Sequence, residues 1–183
     1  MPGREETPRP VVMPSVRDAS LDEIRAQIVG LLPRLRRFAV ALAGTVADGD
    51  DLVQDTVERA LKNLDQWEAG TRLDSWMFRI AKNRFIDIRR AAKRHEVLAA
   101  EASEKELENV SVDGQQIAEA NLNFADLAGA LQSLPVEQRE AVALVLINGI
   151  SYREAAEILA IPMGTLTSRI ARARESLAKV LEA

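Results

Sequence analysis

From Ser20 to Ala43 the apolar residues Leu21, Ile24, Ile28, Leu31, Leu32, Leu35, Phe38 and Leu42 recur at intervals of three and four. That spacing puts them on one face of an α-helix and on no single face of a strand. It returns in most later segments, and no stretch alternates with period two between turn signals. The chain is therefore expected to be all-α. Helices are predicted over 20–43 (bent or broken near Pro33, stopped by Gly44), 48–64 and 74–94, with a loop over 65–73 around Gly70 and Thr71. Further helices are predicted over 125–133, 135–147, 152–160 and 165–181, with Pro135 opening the second of these and Asn148 and Gly149 closing it.

A length of 183 residues allows one domain or two small ones. Two small helical domains are expected here, over 19–94 and 125–183. A proline-bearing arm over 1–18 reads as disordered, and the weakly patterned acidic stretch over 95–124 reads as a linker. The absence of cysteine excludes disulfides and thiolate metal sites. No apolar run approaches the roughly 20 residues that span a bilayer, and no secretory signal is evident, so the expectation is a cytoplasmic protein without membrane insertion.

Charge falls in blocks. Residues 25–47 hold four Arg and no acid, 48–74 hold eight acids against three bases, 75–95 hold seven bases against one acid, and 96–124 hold seven acids against one base. Because salt screens charge beyond about 10 Å, each block is a local field facing its own surroundings. On the helix from Asp48, the residues Asp51, Gln54, Asp55, Glu58 and Lys62 fall opposite Val53, Val57, Ala60, Leu61 and Leu64. From periodicity alone this acidic stripe is an ordinary solvated face. The run DGDD at 48–51 lacks the later Gly and Glu of a calcium loop, so no metal site is expected.

On the helix from Asp74, which Asp74 or Ser75 can cap, Arg79, Lys82, Arg89, Arg90 and Lys93 form a stripe with Ile86 among them. Met77, Ile80, Ala81, Ile88 and Ala91 lie opposite. Cations one helical turn apart neutralise phosphates and release counterions, which points to nucleic acid. Arg84 falls in the apolar arc and must snorkel or pair with an acid. Trp76, Phe78 and Phe85 are read as core. Trp67, in the loop ahead of the basic helix, either stacks on an unpaired base or plugs the core.

Residues 151–181 carry the most specific signal. Ser151 and Glu154 form a capping box that opens a short helix. Ile161, Pro162, Met163 and Gly164 break the chain, and a second helix follows with Leu166, Ile170, Ala173, Leu177 and Leu181 inward. Two short helices on a tight, glycine-containing turn make a helix-turn-helix, whose second helix enters the major groove. Its outward arc carries Thr167, Ser168, Ala171, Arg172 and Arg174, with Arg169 on the flank. A helical hairpin that only packs is the plainer alternative.

Taken together these residues resemble the bacterial sigma factors of the extracytoplasmic-function group, the smallest members of the sigma-70 family, over residues 20–183. DDLVQDTVERAL (50–61) is similar to the family's core-polymerase-binding region and LDSWMFRIAKNRFIDIRRAAKR (73–94) to its minus-ten region. LPVEQREAVALVLINGISYREAAEILAIPMGTLTSRIARARESL (134–177) is similar to its minus-thirty-five domain.

The resemblance implies that Asp51, Gln54, Asp55 and Glu58 dock on the clamp helices of the largest subunit of core RNA polymerase, with the flap as a further contact. It implies that Trp67, Thr71, Arg79, Lys82, Arg89, Arg90 and Lys93 engage the minus-ten DNA, the 65–73 loop capturing a flipped base, so that binding drives melting without ATP. Thr165, Thr167, Ser168, Arg169, Ala171 and Arg172 are implied to contact the minus-thirty-five element. Thr167 stands where many members have Arg or Lys, so promoter preference does not carry over. The linker corresponds to the segment that threads the RNA exit channel. An anti-sigma factor is an implied partner. QWEAGTRLDSW and LPVEQREAVALV resemble the branch that governs the general stress response in alphaproteobacteria, with a soluble anti-sigma of the NepR type; a membrane-spanning or zinc-binding anti-sigma is the alternative.

Two other roles compete. A sigma-like decoy would titrate an anti-sigma factor without binding promoters, but is expected to lose the basic stripe or to carry a receiver domain. A helix-turn-helix repressor or activator would need a dimerisation or ligand domain. Enzymatic activity is not expected: a single histidine, His95, with no cysteine and no glycine-rich phosphate loop leaves no catalytic constellation, and no cofactor is implied.

Overall fold

The computed structural model of the chain describes residues 16–68, 70–102 and 129–181. Among them every regular element is helical, and two helical domains are present, as expected. The first is built from α1 (Val16–Ala43), α2 (Val46–Lys62) and α3 (Leu73–Ala102), with a short 3₁₀ turn (Leu64–Gln66) before the loop. The second holds α4 (Val136–Val142), a π-helical turn (Ala143–Ile147), α5 (Tyr152–Leu159) and α6 (Met163–Leu181). The predicted arm up to residue 15, the linker over 103–124 and the start of the 125–133 helix lie outside the described residues, as does the side chain of Leu181.

α1 runs unbroken through Pro33. The ring costs the helix the bond to the carbonyl of Val29, a residue 64% exposed, so water can satisfy that oxygen while Ile28 and Leu35 stay buried opposite. Gly44 ends the helix as expected, at φ +92°, its N–H donating to the Val40 carbonyl at 2.8 Å. Thr45 then caps α2, accepting from the Asp48 N–H at 3.1 Å. α1 and α2 cross at Gly49: a Cβ there would lie 2.4 Å from a Val40 methyl and 2.8 Å from its Cα. The glycine of the DGDD run thus serves helix packing. Phe38 of α1 meets Phe78 of α3 edge to face, with centroids 5.2 Å apart.

Several faces differ from the expected ones. α2 buries Gly49, Leu52, Thr56 and Ala60, so its inward arc is rotated from the predicted one; Val53 and Val57 are half-buried and Leu61 is exposed. Thr56 tolerates burial because its hydroxyl donates to the Leu52 carbonyl of its own helix at 2.7 Å. On α3 the buried line is Met77, Phe78, Ala81 and Phe85, and Ile88 is 40% exposed. That helix also continues eight residues past the predicted end at Arg94, to Ala102.

In the second domain the capping box at Ser151 and Glu154 is present. α5 closes with the Ile161 N–H on the Ala156 carbonyl and the Ala160 N–H on that of Glu157, a pattern that needs a left-handed residue. That residue is Ala160, at φ +55°. Gly164 lies inside the first turn of α6 and does not make the bend, which corrects the expected glycine turn. α6 starts two residues earlier than predicted because Pro162 offers its carbonyl to the Leu166 N–H.

One apolar cluster runs through both domains. Phe38, Ala39, Val40, Ala41 and Leu42 are all at most 1% exposed, so the end of α1 is enclosed on every side. No helix among the described residues is long and apolar enough to cross a membrane.

Candidate polymerase and nucleic-acid faces

α2 holds the acidic ridge. Asp51, Gln54 and Glu58 are exposed. Gln54 and Lys62 both reach Glu58 at 3.5 Å, and such exposed i,i+4 pairs leave the side chains free to re-pair. Asp55 is different: it is half-buried, and its carboxylate accepts from Arg84 Nε of α3 at 2.6 Å. The arginine in the apolar arc therefore does pair with an acid, and Asp55 ties α2 to α3. Asp50 is held by Arg36 of α1 at 2.6 and 3.0 Å. That hydrogen bond, followed by the charge of Arg36, outweighs burial and keeps the Asp50 carboxyl below the usual carboxylate range.

α3 holds the basic ridge. Arg79, Arg89, Arg90 and Lys93 are exposed, and the Arg89 guanidinium lies 5.9 Å from the centroid of the Phe85 ring. Lys82 is half-buried and faces the second domain, where its charge acts on Glu140. In the loop, Thr71 is exposed and its hydroxyl donates to the Glu68 carbonyl at 2.7 Å. Trp67 packs half-buried against the core, its indole N–H enclosed without a partner among the described residues.

On α6, Thr167, Ala171, Arg172 and Arg174 are exposed, and Thr165, Ser168 and Arg169 are half-buried. The Thr167 hydroxyl donates to the Met163 carbonyl at 3.0 Å and that of Ser168 to the Thr165 carbonyl at 2.9 Å. Neither hydroxyl is committed to another side chain, so both can turn to an incoming phosphate or base edge.

Four charged residues between the domains were not singled out in the sequence. Arg34 donates to Asp74 at 3.1 Å, and Arg72 donates to Asp74 at 3.1 and 2.7 Å while pairing with Glu154 of α5. Burial pushes the Asp74 carboxyl up; hydrogen bonds from Arg72 and the Ser75 N–H, with the charges of Arg72 and Arg34, outweigh it and leave it below the usual range. Arg139 and Glu140 of α4 are 6% and 4% exposed. Burial pushes the Glu140 carboxyl up; Lys82 and Arg169 pull it back and Glu137 adds to the rise.

Comparison with known proteins gives these faces a lineage. Residues 28–82 match the Sigma2 domain of PhyR, and residues 124–177 match region 4 of sigma-70. The chain is 40% identical over 161 residues to the ECF RNA polymerase sigma factor EcfG of Rhodopseudomonas palustris, covering 87% of this chain and 86% of that one. The chain belongs to the ECF RNA polymerase sigma factors. Among solved structures, the Bartonella quintana sigma factor RpoE in complex with the anti-sigma factor NepR is similar, at 34% identity and a TM-score of 0.72 over 88% of this chain and 98% of that one. CnrH in complex with the cytosolic domain of CnrY is similar at 26% identity and a TM-score of 0.66, over 88% and 89%. In this sigma factor α1–α3 hold the Sigma2 match and α4–α6 most of the region 4 match.

Proposed function

We propose that this sigma factor binds core RNA polymerase through the α2 ridge, engages and melts the minus-ten DNA with α3 and its preceding loop, and reads the minus-thirty-five element with α6. The observation that carries the proposal is the pair of exposed, oppositely charged ridges on adjoining helices, Asp51, Gln54 and Glu58 on one and Arg79, Arg89, Arg90 and Lys93 on the other. An acidic ridge repels DNA and suits a protein partner, while a basic one neutralises phosphates. Residues 19–94 form the polymerase and minus-ten domain, 95–124 the linker and 125–183 the minus-thirty-five domain. The protein acts in the cytoplasm as an initiation factor without an active site of its own. Its likeness to EcfG and to NepR-bound RpoE supports a stress-response role under a NepR-type anti-sigma factor.

Permanganate footprinting tests the melting step. Thymines around the minus-ten element are expected to become reactive only when sigma factor and core polymerase are both present, and reactivity absent from that mixture contradicts the reading. The Sigma2 match to PhyR favours a second reading, a decoy that captures an anti-sigma factor. A decoy binds the anti-sigma factor and leaves every promoter closed.

A further inference from the structure

Over its first turns α6 meets solvent with carbon. Met163, the first residue of the helix, is 45% exposed. Thr167 and Ala171 follow at intervals of four and are also exposed, so the three form one row along the helix. Gly164, Ser168 and Arg172 form the neighbouring row. No residue from Ile158 to Ser168 is charged, so the cations of this helix begin only at Arg169. The Thr167 hydroxyl gives its one hydrogen to the Met163 carbonyl at 3.0 Å. What remains for the row to offer a partner is a thioether chain and two methyl groups.

A lone exposed apolar residue is ordinary and calls for no partner. A row of them on the leading turns of a helix-turn-helix recognition helix is another matter, because the N-terminal residues of such a helix are the ones that reach base edges. Uncharged carbon gains nothing from phosphates. In the major groove guanine and adenine present nitrogen and oxygen atoms and cytosine an amino group, whereas thymine adds a C5-methyl group. A Cβ at Gly164 would meet nothing within 4 Å, so no contact within the described residues calls for a glycine there. Its bare backbone leaves room for a base pair to come close.

We propose that Met163, with the methyl groups of Thr167 and Ala171 behind it, reads the C5-methyl groups of thymines in the minus-thirty-five element, while Ser168 and Arg172 in the next row make the hydrogen-bonding contacts. The proposal rests on the sigma-factor reading and adds to it one residue, Met163, and one base. A methyl group removed from water by such a contact changes affinity about fourfold. Unlike a phosphate contact, it involves no counterions, so this discrimination persists as salt rises.

Deoxyuridine is thymidine without that methyl group and pairs with adenine in the same way, which isolates the contact. Elements are first selected by the wild-type holoenzyme from promoters randomised over the minus-thirty-five region, and each thymine of a selected element, on either strand, is then replaced in turn by deoxyuridine. At one thymine or more, run-off transcription by the wild-type holoenzyme is expected to fall about fourfold, at low and high salt alike. The Met163→Ala holoenzyme is expected to use the two templates equally at that position. Met163→Leu is expected to keep the preference, and Met163→Gln, similar in length but polar, to lose it. Each variant is compared with itself on two templates, so a general loss of folding or activity cancels. Selected elements that require no thymine, equal use of both templates by the wild type, or the same loss with Met163→Ala overturns the proposal. No transcript from any selected template overturns the sigma-factor reading itself, whereas transcripts indifferent to the methyl group overturn only the thymine contact.

Discussion

Charge reversal at two neighbouring acids separates docking from folding. Asp51 is exposed and makes no ion pair among the described residues, whereas Asp55 is bonded to Arg84 at 2.6 Å, with side chains 39% and 29% exposed. A partly exposed pair of this kind contributes about 0.2–1 kcal/mol, and replacing attraction by repulsion roughly doubles the effect, so Asp55→Lys is expected to cost about 0.4–2 kcal/mol. For a chain of this size that lowers Tm by about 1–8 °C. Asp51→Lys is expected to stay within about 0.5 kcal/mol of wild type. Polymerase binding is expected to respond in another order. A charge pair about 4 Å apart in water gains about 1 kcal/mol, and reversal doubles the loss, so Asp51→Lys weakens binding by about tenfold or more at low salt. The loss shrinks as salt rises. Circular dichroism melts and fluorescence titrations with core polymerase at two salt concentrations read both effects. Unchanged affinity for Asp51→Lys moves the docking face elsewhere, and equal Tm shifts for the two variants refute the structural role given to Asp55.

Gly49→Ala gains about 1 kcal/mol of helix propensity, yet the close crossing at Val40 is expected to turn that into a net loss of about 1–3 kcal/mol. An unchanged or higher Tm contradicts the crossing. Glu140 has a raised carboxyl pKa, so its favourable contribution is present below its unfolded value of about 4.3 and is lost as pH rises through the folded value. Glu140→Gln is therefore expected to gain stability over wild type as pH is raised from about 4, and parallel curves for the two proteins rule this out. Arg172→Ala is expected to weaken promoter use by about 1–3 kcal/mol on templates carrying the minus-thirty-five element. An equal loss on templates without that element contradicts the base contact.

Much of the architecture is legible because apolar spacing reports which face of a helix is covered. Ile28, Leu35, Phe38 and Leu42 were visible in this way. The burial of Ala39, Val40 and Ala41 was not, because the groups that close over them lie across a helix crossing and in a domain some 90 residues further on. On α2 the pattern misled by one step: Thr56 counts as polar in sequence, but its hydroxyl is satisfied within the helix and the residue goes inside. The turn before α6 is read in the sequence as resting on its glycine, whereas the left-handed residue that makes it is Ala160. Most of both charged ridges was legible, since like charges at helical spacing tend to face water; Asp55, held by Arg84, and Lys82, facing the second domain, are half-buried instead. Arg139 and Glu140 were not, because a charged pair of residues ahead of an apolar run normally faces water, and only tertiary structure shows the carbonyls that hold the guanidinium.

Run-off transcription with purified core polymerase tests the central claim most directly. The account predicts a discrete transcript from a linear promoter template when chain and core are combined, and none from either alone. A mixture that yields no transcript, or a chain that binds the same promoter tightly in the absence of polymerase, contradicts it.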